Sequence, residues 1–383
     1  MRLNPKNHIL GKITNDVFLK KYWQKKPLLI RGAIKNFKSP ITEKDLFKIA
    51  QNETAISRLI EYKHGIWQVK YGPFKKSDLP KKTNTSWTML VQNINHHVPF
   101  AESFLNLFKF IPYARLDDLM VSFATKKGSV GPHYDSYDVF LFQAHGEREW
   151  KISDQKKFSL DKKSAIKIIT NFKTKNSWVL KPGDMLYLPP NVGHWGISQS
   201  DDCLTYSIGF RAPGTFEIQS KFLDFIQDNL ITNQNDLYKD PNLNLQKNPA
   251  EINLNMIKKI QQIVNQLRWN AKSINTFIGQ LLTEPIEGAV FETSKPLTLE
   301  IFKKDLIRKP LKLNPKTRML FIKNNFYING ELIETDKRSL VHLKQLANDR
   351  EISVKSTLNK KDLNALGIVL LPLYLSGFID FIE

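Results

Sequence analysis

Gly131-Pro132-His133-Tyr134-Asp135-Ser136-Tyr137-Asp138-Val139-Phe140-Leu141-Phe142 is the stretch on which the fold turns. In an extended strand, residues two apart share a face, so His133 and Asp135 would present an imidazole and a carboxylate side by side. Those are two members of a facial triad. The third should be a histidine much further along, on a strand that pairs nearby, because the set must leave metal positions open for a co-substrate and dioxygen.

His194 has the context such a ligand needs. It closes Lys181-Pro182-Gly183-Asp184-Met185-Leu186-Tyr187-Leu188-Pro189-Pro190-Asn191-Val192-Gly193-His194-Trp195. Here Pro-Gly-Asp turns into an apolar strand and a Pro-rich turn then delivers a histidine, the layout of the second cupin motif. The glycine usual after the proline is replaced by Asn191, the next-best residue for a left-handed backbone, so the turn is retained. An isolated His-x-Asp matches by chance in many proteins. Followed about sixty residues later by this second pattern, it is specific. Two nitrogens and one carboxylate oxygen suit Fe(II), leaving three positions that a bidentate 2-oxo acid and dioxygen can fill.

The remote carboxylate of 2-oxoglutarate needs a cation. Arg148, in Gly146-Glu147-Arg148-Glu149-Trp150, follows a turn after the strand that continues from His-x-Asp, which would return it along the barrel wall beside the metal. A planar guanidinium holds a carboxylate bidentately. The alternative is a surface arginine in a charged hairpin, and Arg211, beside the breaker Pro213, is a rival. Ser122 on the preceding strand could donate a hydroxyl to the same carboxylate, or be a strand serine with no role. His96, His97 and His145 are read as surface or core packing, and Tyr137, Trp150 and Trp195 as core or pocket wall.

From Phe18 to about Arg211 the chain is rich in short strand-like runs, such as Pro27-Leu28-Leu29-Ile30 and Met185-Leu186-Tyr187-Leu188, which favour a sandwich or barrel. After the breaker cluster Arg211-Ala212-Pro213-Gly214 the period becomes helical, with Ile257, Ile260, Val264 and Leu267 on one face and Ile274, Phe277, Ile278 and Leu281 on another. Such a region packs on the barrel or makes a dimer interface. A helix near Leu299-Phe302-Leu306 and a hairpin follow, the latter pairing Met319-Leu320-Phe321-Ile322 with Phe326-Tyr327-Ile328 across Lys323-Asn324-Asn325. Helical stretches from Leu340 to Ala347 and Leu363 to Leu375 then complete a small winged-helix module.

The 383 residues suit two or three domains. A hydrophobic share of 41% and a charged share of 25% are those of a soluble globular protein. The first residues, MRLNPKNHIL, lack the apolar core of a signal peptide. The apolar run from Leu366 to Ile379 is interrupted by Pro372 and Ser376 and is too short to span a bilayer. These features predict a cytoplasmic protein with no membrane association. Cys203 is the single cysteine, which excludes an intramolecular disulfide and a cysteine-based zinc site. The net charge of +20 points to a polyanionic neighbourhood such as ribosomal RNA, although a general lysine bias on solvated faces would produce it too.

With these residues in hand, the sequence resembles the bacterial ribosomal oxygenases of the JmjC class, within the cupin superfamily. Besides the metal site, the resemblance rests on Tyr22-Trp23-Gln24-Lys25-Lys26-Pro27-Leu28, Trp87-Thr88-Met89-Leu90-Val91-Gln92 and Asp117-Asp118-Leu119-Met120-Val121-Ser122-Phe123. Tyr206-Ser207-Ile208-Gly209-Phe210-Arg211-Ala212-Pro213 and Phe326-Tyr327-Ile328-Asn329-Gly330-Glu331 extend it over nearly the whole chain. It implies a mixed α and β architecture: a double-stranded β-helix catalytic domain (1–213), a helical dimerisation region (214–294) giving a homodimer, and a C-terminal winged-helix-like domain (295–383). By position, His133, Asp135 and His194 match the iron ligands and Arg148 the 2-oxoglutarate-binding arginine. The implied reaction is hydroxylation of an arginine β-carbon in the sixteenth large-subunit ribosomal protein, uL16. The family's glycine-rich approach to His-x-Asp is here Thr125-Lys126-Lys127-Gly128-Ser129, close to where substrate would enter. Two other readings compete: a non-catalytic metal-binding cupin acting as a nucleic-acid-associated regulator, and a JmjC protein demethylase.

Overall fold

The structure is a computed structural model that describes residues 8–81, 86–229, 237–241, 243–354 and 358–382. The first seven residues, part of the stretch read above for a leader, lie outside them. Along the chain run the strands β1 (Leu28–Ile30), β2 (Ser57–Lys63), β3 (Ile66–Tyr71), β4 (Trp87–Val91), β5 (Leu116–Ala124) and β6 (Asp138–His145). They are followed by β7 (Arg148–Ile152), β8 (Asn176–Leu180), β9 (Met185–Leu188), β10 (His194–Ser198) and β11 (Cys203–Phe210). Antiparallel pairing orders them as β1-β9-β6-β11-β5-β4-β2-β3 in a large sheet and β10-β7-β8 in a small one. The two apolar runs singled out in the sequence are thus neighbours, Leu28 opposite Tyr187.

Period-two alternation decides what each strand buries. On β6 and β9, Val139, Leu141, Leu186 and Leu188 face the small sheet and pack with Trp150, Ile152 and Leu180. The intervening Phe140, Phe142, Met185 and Tyr187 face the other way, into a core shared with Phe18, Phe104, Phe108 and Tyr206. Each such side chain contributes about 1.5–3 kcal/mol of burial. Phe18 comes from α1 (Asn15–Lys21), whose Thr14 cap accepts from Val17 N–H. Leu46 comes from α2 (Glu43–Ala50), closed at its start by a capping box between Thr42 and Asp45. Phe104 comes from α3 (Pro99–Leu105).

The His133–Asp135 stretch departs from the expected strand. Only His133 makes a bridge, with His194, and regular pairing starts at Asp138. Pro132 has no N–H to give a ladder, and Gly131 sits at φ 79°.

The chain divides into two compact units, one of residues 1–212, 285–318 and 336–383, the other of 213–284 and 319–335. Within the first, helices Leu299–Arg308, Leu340–Asp349 and Lys360–Leu375 accompany a three-stranded sheet of Leu311–Leu313, Glu351–Ile352 and Ile379–Phe381. The helix read around Phe302 and Leu306 buries both residues. The second unit holds α4 (Thr215–Asp228), α5 (Leu254–Val264) and α6 (Ala271–Thr283) with the sheet Met319–Ile322, Asn325–Ile328 and Glu331–Ile333. The hairpin turns on two residues rather than three, since Ile322 pairs with Asn325 and Lys323 takes the left-handed conformation. α5 ends at Val264, before Leu267. A glycine inside α6 has a packing reason: a Cβ on Gly279 would lie 2.4 Å from the Tyr327 ring. Among the described residues no helix is long and apolar enough to cross a membrane.

Candidate functional site

His133 and His194 exchange both backbone hydrogen bonds, at 2.9 and 2.8 Å, so the bridge fixes the two rings as neighbours 4.2 Å apart between centroids. Each ring is aimed from within its own loop: His133 Nδ1 lies 2.9 Å from the Gly131 carbonyl and His194 Nδ1 2.9 Å from that of Val192. A carbonyl can only accept, so both Nδ1 carry the proton and both Nε2 present lone pairs. Asp135 Oδ2 is 3.6 Å from His194 Nε2. Ligand atoms of all three lie within 4.8 Å of one another. Burial, and then His133, lower the His194 pKa to about 4, so it is neutral at physiological pH, the form that binds a metal.

Asn191 takes the left-handed conformation expected of it, at φ 63°. Its N–H donates to the Asp135 carbonyl at 2.7 Å. Gly193 allows a close approach beside His194, for a Cβ there would stand 2.6 Å from the Phe158 ring.

The three residues open onto a cavity of about 480 Å³ between the two sheets. Its walls follow the pleat: Arg58 and Ile60 from β2, Thr88 and Leu90 from β4, Asp118, Met120 and Ser122 from β5, Val139 and Leu141 from β6. Arg148 and Trp150 from β7 and Thr205, Ser207 and Gly209 from β11 add to them. On these strands the named residues are two apart, as the two-residue period requires.

Arg148 is buried on the small sheet, paired in register with Ser198 while Ile152 pairs with His194. Four residues of strand separate its Cα from that of Ile152 by roughly 13 Å. Its Nε and Nη2 are buried with no hydrogen-bond partner among the described residues. A buried cation without a partner is costly, and this one lines the cavity, where a carboxylate would satisfy it. Ser122 lines the same cavity, with its hydroxyl 3.5 Å from the Thr205 carbonyl, a weak contact. Arg211, the rival cation, is taken up by Asp117 at 3.0 Å.

Asp118 and Arg58 were not singled out from the sequence. Asp118 accepts from Asn93 N–H at 2.9 Å, and burial pushes its carboxyl up to about 7. The signal that would have found it is the pleat: counting back by twos from Ser122 gives Met120 and Asp118. Tyr137 and Trp150 are cavity wall, and burial, followed by Asp135, raises the Tyr137 phenol above its usual range. Trp195 is structural, donating to Ser129 Oγ at 3.0 Å. His96, His97 and His145 do not line the cavity, and His145 pairs instead with Asp202.

The donor set fits iron, and the unsatisfied Arg148 fits the distal carboxylate of a 2-oxo acid. Residues 103–218 match the family model of the JmjC domain and residues 266–380 that of the ROXA-like winged helix. The chain is 32% identical to the ribosomal protein uL16 3-hydroxylase of Escherichia coli (strain K12), over 84% of this chain and 86% of that one. It superposes on the X-ray structure of E. coli YcfD with a TM-score of 0.83 at 28% identity, covering 97% of this chain and 99% of that chain. The structure of YcfD, a ribosomal oxygenase, in complex with cobalt and 2-oxoglutarate is similar with a TM-score of 0.82 at 27% identity and the same coverage.

Proposed function

The chain belongs to the JmjC-domain ribosomal oxygenases, and on that premise we propose that it is an Fe(II)- and 2-oxoglutarate-dependent hydroxylase of an arginine β-carbon in ribosomal protein uL16. The observation that carries the reading is the buried, unpartnered Arg148 guanidinium in the same cavity as the His133, Asp135 and His194 cluster. A non-catalytic cupin would have no use for that cation.

Iron held by His133, Asp135 and His194 supplies the oxidising chemistry, drawing on dioxygen and 2-oxoglutarate. The protein supplies placement. Arg148 holds the distal carboxylate of 2-oxoglutarate, and Ser122, from the other sheet lining the same cavity, offers its hydroxyl to it. The backbone carbonyls of Gly131 and Val192 keep both imidazoles in the tautomer that donates through Nε2. Asp118 offers a carboxylate to an arginine guanidinium entering the cavity, and Tyr137 and Met120 supply the wall against which its methylenes lie.

Residues 1–213 would then carry catalysis, 214–294 dimerisation and 295–383 the winged helix. The exposed stripe Ile257, Ile260 and Val264 on α5, with Ile274 and Ile278 on α6, supports the homodimer. A ribosomal-protein substrate supports a cytoplasmic site of action, and the net charge of +20 supports proximity to ribosomal RNA.

The test is anaerobic Fe(II) loading, then exposure to air with 2-oxoglutarate and uL16 peptides, reading succinate and peptide mass together. One added oxygen atom on an arginine, abolished in His133→Ala, is the expected result. Succinate without peptide oxidation would discard the substrate, and neither product from iron-loaded protein would discard the enzyme.

A further inference from the structure

β3 is the last strand of the large sheet, and no strand among the described residues pairs with its outer edge. Gly72, just past its end, donates its N–H to the carbonyl of Ser57, the first residue of β2, at 2.9 Å. Counting back by the two-residue alternation of an antiparallel ladder, Ile66, Gln68 and Lys70 direct their backbone groups at β2, while Trp67, Val69 and Tyr71 direct theirs outward. Among the described residues these outward groups make no backbone hydrogen bond. The same three residues share a sheet face with Arg58 and Ile60, which line the catalytic cavity, and Tyr71 lines it too. Trp67 is tied to the metal-bearing segment: a Cβ on Gly131, two residues before His133, would meet its indole at 2.9 Å and Ile168 at 2.4 Å.

We propose that β3 is the docking strand for the polypeptide substrate, which adds to this edge in extended conformation and so carries its reacting residue to the cavity. This rests on the protein-hydroxylase reading above. The occupant is a peptide because a row of alternating N–H and C=O groups is matched along its length only by another extended backbone, whereas a free amino acid engages one pair at most. Exposed edges are usually blunted by charge or proline; β3 carries a single lysine, Lys70, while Trp67, Val69 and Tyr71, whose backbone groups face outward, are uncharged, and Tyr71 is 69% exposed. The edge is continuous with the cavity, so a strand seated there has the reaction centre beside it.

The experiment measures binding of a fluorescent uL16 peptide to the iron-free protein with 2-oxoglutarate, alongside two versions N-methylated at alternate amides in opposite phases. One phase removes the N–H groups that face β3 and weakens binding by about tenfold or more, in line with the loss of two or three backbone hydrogen bonds; the other phase binds like the parent. Val69→Pro, which removes one edge N–H without touching the β2 ladder, weakens the parent peptide while the melting temperature shows a folded protein. Equal binding by all three peptides, no binding of the parent, or a Val69→Pro effect confined to self-association would each overturn the proposal. Oxidation of the parent peptide is read separately, so loss of the docking strand and loss of the hydroxylase reading are told apart.

Discussion

The Asn191 N–H donates to the Asp135 carbonyl across 2.7 Å, tying the turn before His194 to the backbone of Asp135. The bond exists only because Asn191 occupies the left-handed conformation, at φ 63°. Asn191→Gly should therefore keep both turn and iron affinity. Asn191→Val, a β-branched residue at the same φ, should cost about 1–2 kcal/mol and weaken iron binding. Melting temperature and iron stoichiometry after dialysis check the pair. Equal iron loading of the two variants would refute the coupling.

In the role proposed for Arg148, function and stability oppose one another. With Nε and Nη2 buried and without a hydrogen-bond partner among the described residues, the guanidinium would destabilise the protein until a carboxylate arrives. Arg148→Met is expected to raise the KM for 2-oxoglutarate by roughly 10- to 100-fold, the loss of a charge-assisted hydrogen bond. The same variant should melt at or above the wild-type temperature without ligand, and lose the stabilisation that 2-oxoglutarate gives the wild type.

Gly196 on β10 stands opposite Trp150 on β7, and a Cβ at Gly196 would fall 2.6–2.9 Å from the indole ring. Trp150 lines the cavity and lies near Arg148, with the guanidinium carbon 5.8 Å from its ring centroid. Gly196→Ala should thus displace the indole, destabilise the fold by about 1–3 kcal/mol and raise the KM for 2-oxoglutarate. Denaturant unfolding and steady-state kinetics measure the two effects.

Burial raises the Asp118 carboxyl from 3.8 to about 7. The folded protein therefore holds a proton there that the unfolded chain has lost, and this group's contribution to stability falls as pH rises from about 4 to about 7. An arginine substrate needs the ionised form, so the KM for the peptide should fall as pH rises through about 7. Asp118→Asn should raise that KM and flatten its pH dependence. A pH profile unchanged in the variant would remove Asp118 from substrate binding.

Asp138, fully buried at the start of β6, accepts from Tyr187 Oη at 2.6 Å, Gln24 Nε2 at 2.9 Å and Arg115 Nη2 at 3.2 Å. It explains part of the Tyr22-to-Leu28 segment, since Gln24 also takes the Tyr187 hydroxyl on its backbone N–H at 2.8 Å. Asp138→Ala leaves these donors behind and should destabilise the fold by about 3–5 kcal/mol, a loss that chemical denaturation would register.

The sequence by itself determined what local chemistry and short periods carry. His133, Asp135 and His194 declared themselves through residue type and motif spacing, Asn191 through its tolerance of a left-handed turn, and the helices around Ile260 and Phe277 through their three-and-four repeats. Tertiary structure decided the rest, because long-range register and burial leave no mark in a local window. His133 and His194 are brought together by a single bridge rather than by the strand expected at His133. Arg148 reaches the cavity from the opposite sheet to Ser122, and Asp118 acquires its perturbed carboxyl only when β11, β4 and the Asn93 turn close over it. The free edge of β3 is likewise a property of strand order, which no residue in β3 encodes alone.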